Sequence, residues 1–341
     1  MKIITLNKPG ELQLSNKEYN LKPKANEALV KVHSIGICGT DIHAFKGRQP
    51  FFSYPRILGH ELGVEVVETG KDVSNVKIGD KCAVEPYFNK TKGQAVKRGK
   101  SNCGESISVF GVHEEGGMRE YFVIDASYLH PSQKLNFDQL ALIEPMAIGY
   151  HATQRARIQK EDKVLVIGAG PIGLSTAQFA TLDCDQVVVM DINEKRLELC
   201  QANLPLKDIL HVDKTEFDYV GKLQGVFDGD LPTVILDATG NPSSMKNTLE
   251  YAAHGASIVF IGLFQGDFSF YDPLFHKKEI SLMASRNALA ADFKAIIRLI
   301  ESGDIKTDFW ISHRVDFTFL SKSFERLFFG ENQIVKVMVT P

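Results

Sequence analysis

Three short segments of this 341-residue chain carry side chains that could bind a metal ion. The thiol of Cys38, the imidazole of His60 and the carboxylates of Glu61 and Glu144 are donor types that zinc prefers. Taken singly, Cys38 could be a small buried hydrophobe and His60 a hydrogen-bonded core histidine. Glu144 is harder to explain in that way, because it interrupts an apolar, helix-like stretch where an unpaired carboxylate is unfavourable. Together the segments predict a metal centre.

A glycine-rich turn, Gly-Ala-Gly-Pro-Ile-Gly, occupies residues 168–173 between an apolar run at 164–167 and a helix-like stretch. In that context the three glycines allow a tight turn, the close approach of a phosphate, and close packing of helix on strand. The free N–H groups at the start of the helix would face the pyrophosphate of a dinucleotide. The residues assigned to this cofactor site are Gly168, Gly170, Pro171, Ile172 and Gly173.

Asp191 ends the next apolar run, 23 residues after Gly168. A carboxylate there accepts hydrogen bonds from the adenosine ribose and repels a 2′-phosphate, which favours NAD over NADP. The alternative is an ordinary polar residue at the end of a strand. Arg196 is a further candidate cofactor contact, and it weakens the exclusion of NADP. Asp237 is interpreted as a strand-end or interface residue.

The predicted secondary structure that must position these residues differs between three parts of the chain. Residues 1–149 resemble short strands separated by Gly, Pro and Asn turns, which predicts a β-rich domain. Strand and helix patterns alternate over 150–284, which specifies an α/β, doubly wound parallel sheet of the Rossmann type. One helix over 292–302 and strand-like segments follow, so residues 285–341 are predicted to return to the first domain.

Composition limits the classes of partner and compartment. A net charge of -3 gives no reason to expect nucleic acid or an anionic membrane as partner. No run approaches the roughly 18 apolar residues that a membrane span needs, and no signal-peptide core is visible. Five scattered cysteines form no disulfide framework, and a cytoplasmic location is therefore expected.

The ligand types, their order and the glycine-rich turn resemble the zinc-containing medium-chain dehydrogenases over essentially the whole chain. The resemblance implies a GroES-like catalytic domain, with an inserted Rossmann domain that binds NAD. It implies that Cys38 and His60 bind one catalytic zinc ion, with Glu61 and Glu144 competing for the other positions. Asp41 would orient His60. The Glu-Pro pair at 144–145 is similar to the polyol and threonine dehydrogenase branches.

The resemblance also implies a reaction and a route for its proton. Zinc polarises an alcohol oxygen and the cofactor accepts a hydride. Thr40 would accept the proton through its hydroxyl and, by way of the cofactor ribose, pass it to His43 near solvent. The alternative for His43 is a plain surface histidine.

One departure from the family pattern concerns a second metal site. Family members commonly carry four cysteines in the loop between Pro86 and Gly111. The matching positions here are Lys90, Gly93, Val96 and Gly104, with a single thiol at Cys103. We therefore expect no structural zinc, and a loop that keeps its shape by other means or is mobile.

The substrate is the least specified part of the prediction. The segment 109–120, together with 141–148 and 285–287, resembles sugar-acid dehydrogenases such as L-gulonate or L-galactonate 5-dehydrogenases. A substrate carboxylate could then meet Arg119 or Arg286, and His113 could contact substrate or belong to the scaffold. Each arginine could equally be solvated or contact another group.

Three functions remain open at this point. The first is a polyol or sugar-acid dehydrogenase, and the second is an L-threonine 3-dehydrogenase with the same chemistry. The third is a non-catalytic NAD-binding redox sensor, which the complete ligand set disfavours, as it does a metal-free quinone reductase. The partner is expected to be a small-molecule alcohol, and the family suggests a homo-oligomer, dimer or tetramer.

Overall fold

The computed structural model describes residues 1–49, 52–213, 218–329 and 334–341. Within them the chain forms two compact units, Met1–Pro145 together with Ala288–Pro341, and Met146–Asn287. The borders expected from the sequence, at 149/150 and 284/285, lie within a few residues of these divisions.

The described residues form the following elements. The strands are β1 Lys2–Lys8, β2 Glu11–Asn16, β3 Glu27–Gly36, β4 Glu61–Thr69, β5 Lys81–Val84, β6 Tyr87–Asn89, β7 Ile107–Val109, β8 Tyr121–Asp125, β9 Leu129–Ser132, β10 Val164–Ile167, β11 Val187–Asp191, β12 Asp208–His211, β13 Val234–Asp237, β14 Ser257–Phe260, β15 Ser281–Ala284, β16 Ile311–Asp316 and β17 Lys336–Thr340. The α-helices are α1 Gly39–Phe45, α2 Gln94–Lys97, α3 Phe137–Ala156, α4 Pro171–Asp183, α5 Glu194–Asn203, α6 Tyr219–Val226, α7 Pro242–Tyr251, α8 Asp272–Lys277, α9 Ala290–Ser302 and α10 Phe317–Phe329. Among the residues described, no helix has both the length and the apolar character needed to cross a bilayer.

The first unit is built on a seven-stranded sheet in the order β16-β17-β3-β4-β5-β9, with β8 also paired to β3. Every second residue of β3 is buried along most of its length, as expected for a strand with one face on a core. Gly36 at the end of β3 pairs with Glu61 at the start of β4, and Met338 of β17 pairs with Gly36 on the other side. This register brings the end of β3 and the start of β4 beside β17.

The second unit is a six-stranded parallel sheet in the order β12-β11-β10-β13-β14-β15. All four residues of β10 are buried, because helices cover both faces of a doubly wound sheet. The strand order reverses between β10 and β13, and ligands of such sheets bind at that switch point. The predicted fold class is confirmed.

The prediction for the segment after residue 302 was wrong in one respect. Only strand-like segments were expected there, but α10 occupies 317–329. Its buried residues recur every three or four positions, which is the spacing of one helix face. The many aromatic residues of this segment favour strand locally, and packing on the core outweighs that preference. These buried residues are Phe317, Leu320, Phe324 and Leu327.

Candidate active site

The predicted metal donors lie where β3, α1 and β4 meet. Cys38 is the residue that precedes the first turn of α1, and its backbone N–H donates to Asp41 Oδ2 at 3.0 Å. His60 directly precedes β4, and Glu61 begins it. A Cβ atom at position 36 would lie 2.0 Å from Glu61 Oε2, so glycine is needed there to leave room for the carboxylate.

The Cys38 sulfur, a ring nitrogen of His60 and a carboxylate oxygen of Glu61 all lie within 4.8 Å of one another. His60 and Glu61 are buried, and Cys38 is half-buried. His60 Nδ1 and Asp41 Oδ1 are 3.9 Å apart, and each is buried without a hydrogen-bond partner. The Asp41 carboxylate therefore faces the imidazole while it holds the backbone of Cys38.

Glu144 lies inside α3 and is 5% exposed. Its Oε1 accepts a hydrogen bond from the hydroxyl of Tyr87, which is also buried. Burial raises the pKa of Tyr87 well above its usual value, and the charge of Glu144 adds to this shift, so the phenol keeps its proton. Within the described part of the chain, Glu144 is not among the donors that approach one another to 4.8 Å.

Lys336 is a site residue that the sequence prediction missed. Its Nζ donates to Glu61 Oε1 and Oε2 at 2.6 and 2.7 Å and to the carbonyl of Ile37 at 3.2 Å. The side chain is 2% exposed, so this is a buried ion pair. A charged residue inside the apolar strand sequence of β17 is the signal that could have identified it.

The electrostatics of this group fit a bound cation. Burial raises the pKa of Asp41 and of Glu144. Burial alone would lower the pKa of His60, but Cys38, Asp41 and Glu144 together outweigh it and raise that pKa well above its usual value. Because the Lys336 ammonium faces several acidic groups, a divalent ion would neutralise the remaining charge. The thiol, imidazole and carboxylate donors are those of a catalytic zinc site.

The two predicted relay residues, Thr40 and His43, both lie on α1, one helical turn apart. Thr40 is half-buried and His43 is exposed. Their placement gives a half-buried hydroxyl two residues after Cys38 in the chain and an imidazole at the surface.

The glycine-rich turn lies at the switch point of the parallel sheet and borders a cavity of about 480 Å³. Gly168 has a φ of +100°, which favours glycine, and a Cβ at Gly173 would lie 1.6 Å from the carbonyl oxygen of Gly168. Pro171 is the first residue of α4, and Ile172 follows it, half-buried. The N-terminus of α4 thus presents free N–H groups beside Gly170.

Asp191 and Arg196 line the same cavity. The carboxylate of Asp191 accepts hydrogen bonds from the backbone N–H groups of Ala169 and Asn193, which fixes it to the turn. The Arg196 guanidinium lies beside Gly170, 3.7 Å from where a Cβ would be. Asp237 is fully buried and accepts hydrogen bonds from Thr239 and Ser244, as a strand-end residue would.

The three candidate substrate residues lie in different surroundings. His113 is exposed, and its Nδ1 accepts the backbone N–H of Val109 at 2.9 Å, which is a scaffold contact. The Arg119 guanidinium lies 5.9 Å from the Phe110 ring and 5.4 Å from the Phe122 ring. Arg286 is exposed and lies two residues after the end of β15, in the second unit. A role in substrate binding stays a prediction for each.

The loop between β6 and β7 is held by its own side chains. Glu105 Oε1 accepts the backbone N–H of Ala95 at the start of α2, at 2.9 Å. Asn89 Nδ2 donates to the carbonyl of Ser101 at 2.9 Å. At two positions where the family pattern has cysteine, a Cβ would lie 2.0 Å from Glu105 Oε2 (at Gly93) and 1.8 Å from Asn89 Oδ1 (at Gly104). These contacts occupy the space near the expected cysteine positions.

Comparison with known proteins agrees with this geometry. The family profile "Alcohol dehydrogenase GroES-like domain" matches residues 24–134, and "Zinc-binding dehydrogenase" matches residues 171–302. The chain belongs to the zinc-containing medium-chain dehydrogenase family and is an oxidoreductase of the alcohol dehydrogenase type. It is 43% identical over 340 residues to the L-galactonate-5-dehydrogenase of Escherichia coli, covering 100% of this chain and 99% of that protein. The predicted family is confirmed.

Two further relatives are a sorbitol dehydrogenase and an alcohol dehydrogenase of known structure. The sorbitol dehydrogenase of Ovis aries is 34% identical over 263 residues, which are 75% of this chain and 73% of that protein. The alcohol dehydrogenase RspB of Escherichia coli, solved with NADH, has a TM-score of 0.91 and 31% identity, covering 100% of this chain and 99% of that one. The expected cofactor classes, zinc and a nicotinamide dinucleotide, are those of this family.

Proposed function

We propose that this enzyme oxidises a secondary hydroxyl of a sugar acid of the L-galactonate type and reduces NAD. The observation that carries the proposal is the full-length similarity to an L-galactonate-5-dehydrogenase, together with the donor group of Cys38, His60 and Glu61. When bound, zinc supplies a Lewis acid for the alcohol oxygen, and NAD accepts the hydride.

The chain's own residues hold the cofactors and move the proton. Cys38, His60 and Glu61 bind the zinc ion, and Glu144 supplies a further carboxylate nearby. The Thr40 hydroxyl accepts the alcohol proton as it gives up its own, and His43 takes up the released proton and delivers it to solvent from the exposed end of the same helical turn. We further propose a cytoplasmic, homo-oligomeric enzyme.

A substrate screen tests the proposal. The purified enzyme with NAD is offered L-galactonate, L-gulonate, hexitols and L-threonine, and NADH formation is followed. We expect the highest kcat/KM with one of the two sugar acids. A preference for L-threonine would assign the enzyme to the threonine dehydrogenases. Zinc-free protein without activity on any alcohol would favour a redox sensor.

The coenzyme assignment is tested at Asp191. Replacing it in Asp191→Gly removes the carboxylate that would accept the ribose hydroxyls and repel a 2′-phosphate, with Arg196 left beside the turn. We expect the ratio of kcat/KM for NAD to that for NADP to fall. Glu194→Gln, an exposed change in the next helix, is the control, and an unchanged ratio in Asp191→Gly would contradict the ribose role.

A further inference from the structure

Tyr87 is a buried residue whose single phenolic proton is committed to Glu144. The tyrosine is 2% exposed, and its hydroxyl donates to Glu144 Oε1. The ring is held edge-on against Phe293, with ring centroids 6.3 Å apart. A hydroxyl fixed in this way defines where one carboxylate oxygen of Glu144 lies.

The carboxyl group of Glu144 interacts electrostatically with the metal donors, but it lies outside the group of donor atoms that approach one another closely. The charges of His60 and Glu61 act on its carboxyl group. In the described parts of the chain, however, the donors that share a space of 4.8 Å are Cys38, His60 and Glu61 alone. The carboxylate of Glu144 is thus retained beside the group, bonded to the phenol.

We propose that Tyr87 is a positioning residue that holds Glu144 out of the metal's ligand set. This inference rests on the proposed metal role of Cys38, His60 and Glu61. A catalytic zinc site keeps a position open for substrate, and a fourth protein ligand, here a second carboxylate, would fill it. The hydrogen bond to Tyr87 restrains the Glu144 carboxylate and so leaves that position to the alcohol.

The variant Tyr87→Phe keeps the ring and removes the restraint. Zinc affinity is measured on the full enzyme by competition with a chromophoric chelator. We expect the affinity to rise on the order of tenfold, the scale on which hydrogen-bond partners of metal ligands act. We also expect KM for the alcohol to rise, because the freed carboxylate competes with substrate.

The double variant Tyr87→Phe, Glu144→Gln identifies the group responsible. If the effect acts through Glu144, zinc affinity returns to within about twofold of wild type. Tyr128→Phe is the matched control, since the Tyr128 hydroxyl accepts the backbone N–H of Asn89 at 3.3 Å and Glu144 is not its partner. It should leave zinc affinity unchanged.

The outcomes separate the two proposals. Wild-type enzyme that binds no zinc overturns the proposed function. Wild-type enzyme that binds zinc, with an affinity that is unchanged or lowered in Tyr87→Phe, overturns this inference alone. A rise that persists in the double variant also overturns it, because Glu144 would then not be the group released.

Discussion

The metal-donor group and the loop between β6 and β7 keep their geometry by opposite means. At the donor group, His60 Nδ1 and Asp41 Oδ1 are buried without partners, and acidic groups surround one ammonium. In the loop, Glu105 accepts the backbone N–H of Ala95 at an exposed position. The donor group thus keeps buried polar atoms beside its metal donors, whereas the loop is shaped chiefly by hydrogen bonds among its own groups, with Asn89 Oδ1 as the exception.

The largest effect that this contrast predicts is at Cys38. Cys38→Ser replaces the thiolate donor with a weak one, so bound zinc and turnover with any alcohol should be lost. NADH binding, followed by fluorescence titration, should be retained because the glycine-rich turn belongs to the second unit. Cys103→Ser is the control, and elemental analysis should find one zinc per chain in it and in wild type. Retained activity in Cys38→Ser would refute the metal assignment, and two zinc ions per chain would refute the contrast.

A smaller effect is expected at Lys336. Lys336→Met leaves the Glu61 carboxylate buried without its ammonium, which should lower the free energy of unfolding by about 3–5 kcal/mol. Trp310 is the single tryptophan and is buried in the first unit, so its fluorescence reports unfolding there in guanidinium chloride.

The matched control is Lys278→Met in the second unit. Lys278 is also buried, but its Nζ donates to the carbonyls of Leu249, Glu250 and Ala252 rather than to a carboxylate. This variant should leave the Trp310 transition in place. A loss below about 1 kcal/mol in Lys336→Met would mean that the ion pair is not a significant restraint.

The smallest effect is expected at Glu105. Hydrogen bonds from backbone N–H groups, first that of Ala95, lower the pKa of Glu105. Because the folded-state pKa is the lower one, this stabilisation is complete above the unfolded pKa and is lost as pH falls through the folded pKa. Acidification over that window should loosen the loop, and Glu105→Gln, which mimics the protonated carboxyl group, should speed tryptic cleavage after Lys97 and Arg98 at neutral pH.

Zinc content and the Trp310 transition should not change in Glu105→Gln. Glu11→Gln, at another exposed glutamate with a lowered pKa, is the control for general charge effects. Equal cleavage rates in Glu105→Gln and wild type would show that the loop is held by other contacts.

The sequence could predict those parts of the site that are formed by residues close together in the chain. The Gly168–Gly173 segment contains its own turn, so local sequence predicts it, and Cys38 and Asp41 share one turn of helix, although their roles were inferred from the family resemblance. Lys336 lies 275 residues beyond Glu61, and only sheet pairing brings them together. Tyr87 likewise meets Glu144 across 57 residues. The helix α10 was missed because its aromatic residues favour strand until a core selects one face.

The pairing of Glu61 with Lys336 also has a consequence for biosynthesis. A ribosome makes Cys38, His60 and Glu61 early and adds the balancing lysine only when β17 is translated. Until then Glu61 lacks the ammonium that balances its carboxylate in the folded unit. A truncation before β17 should therefore yield a polypeptide in which the second unit, with its parallel sheet, can still form. The first unit of that polypeptide would lack Lys336, the ion-pair partner of Glu61.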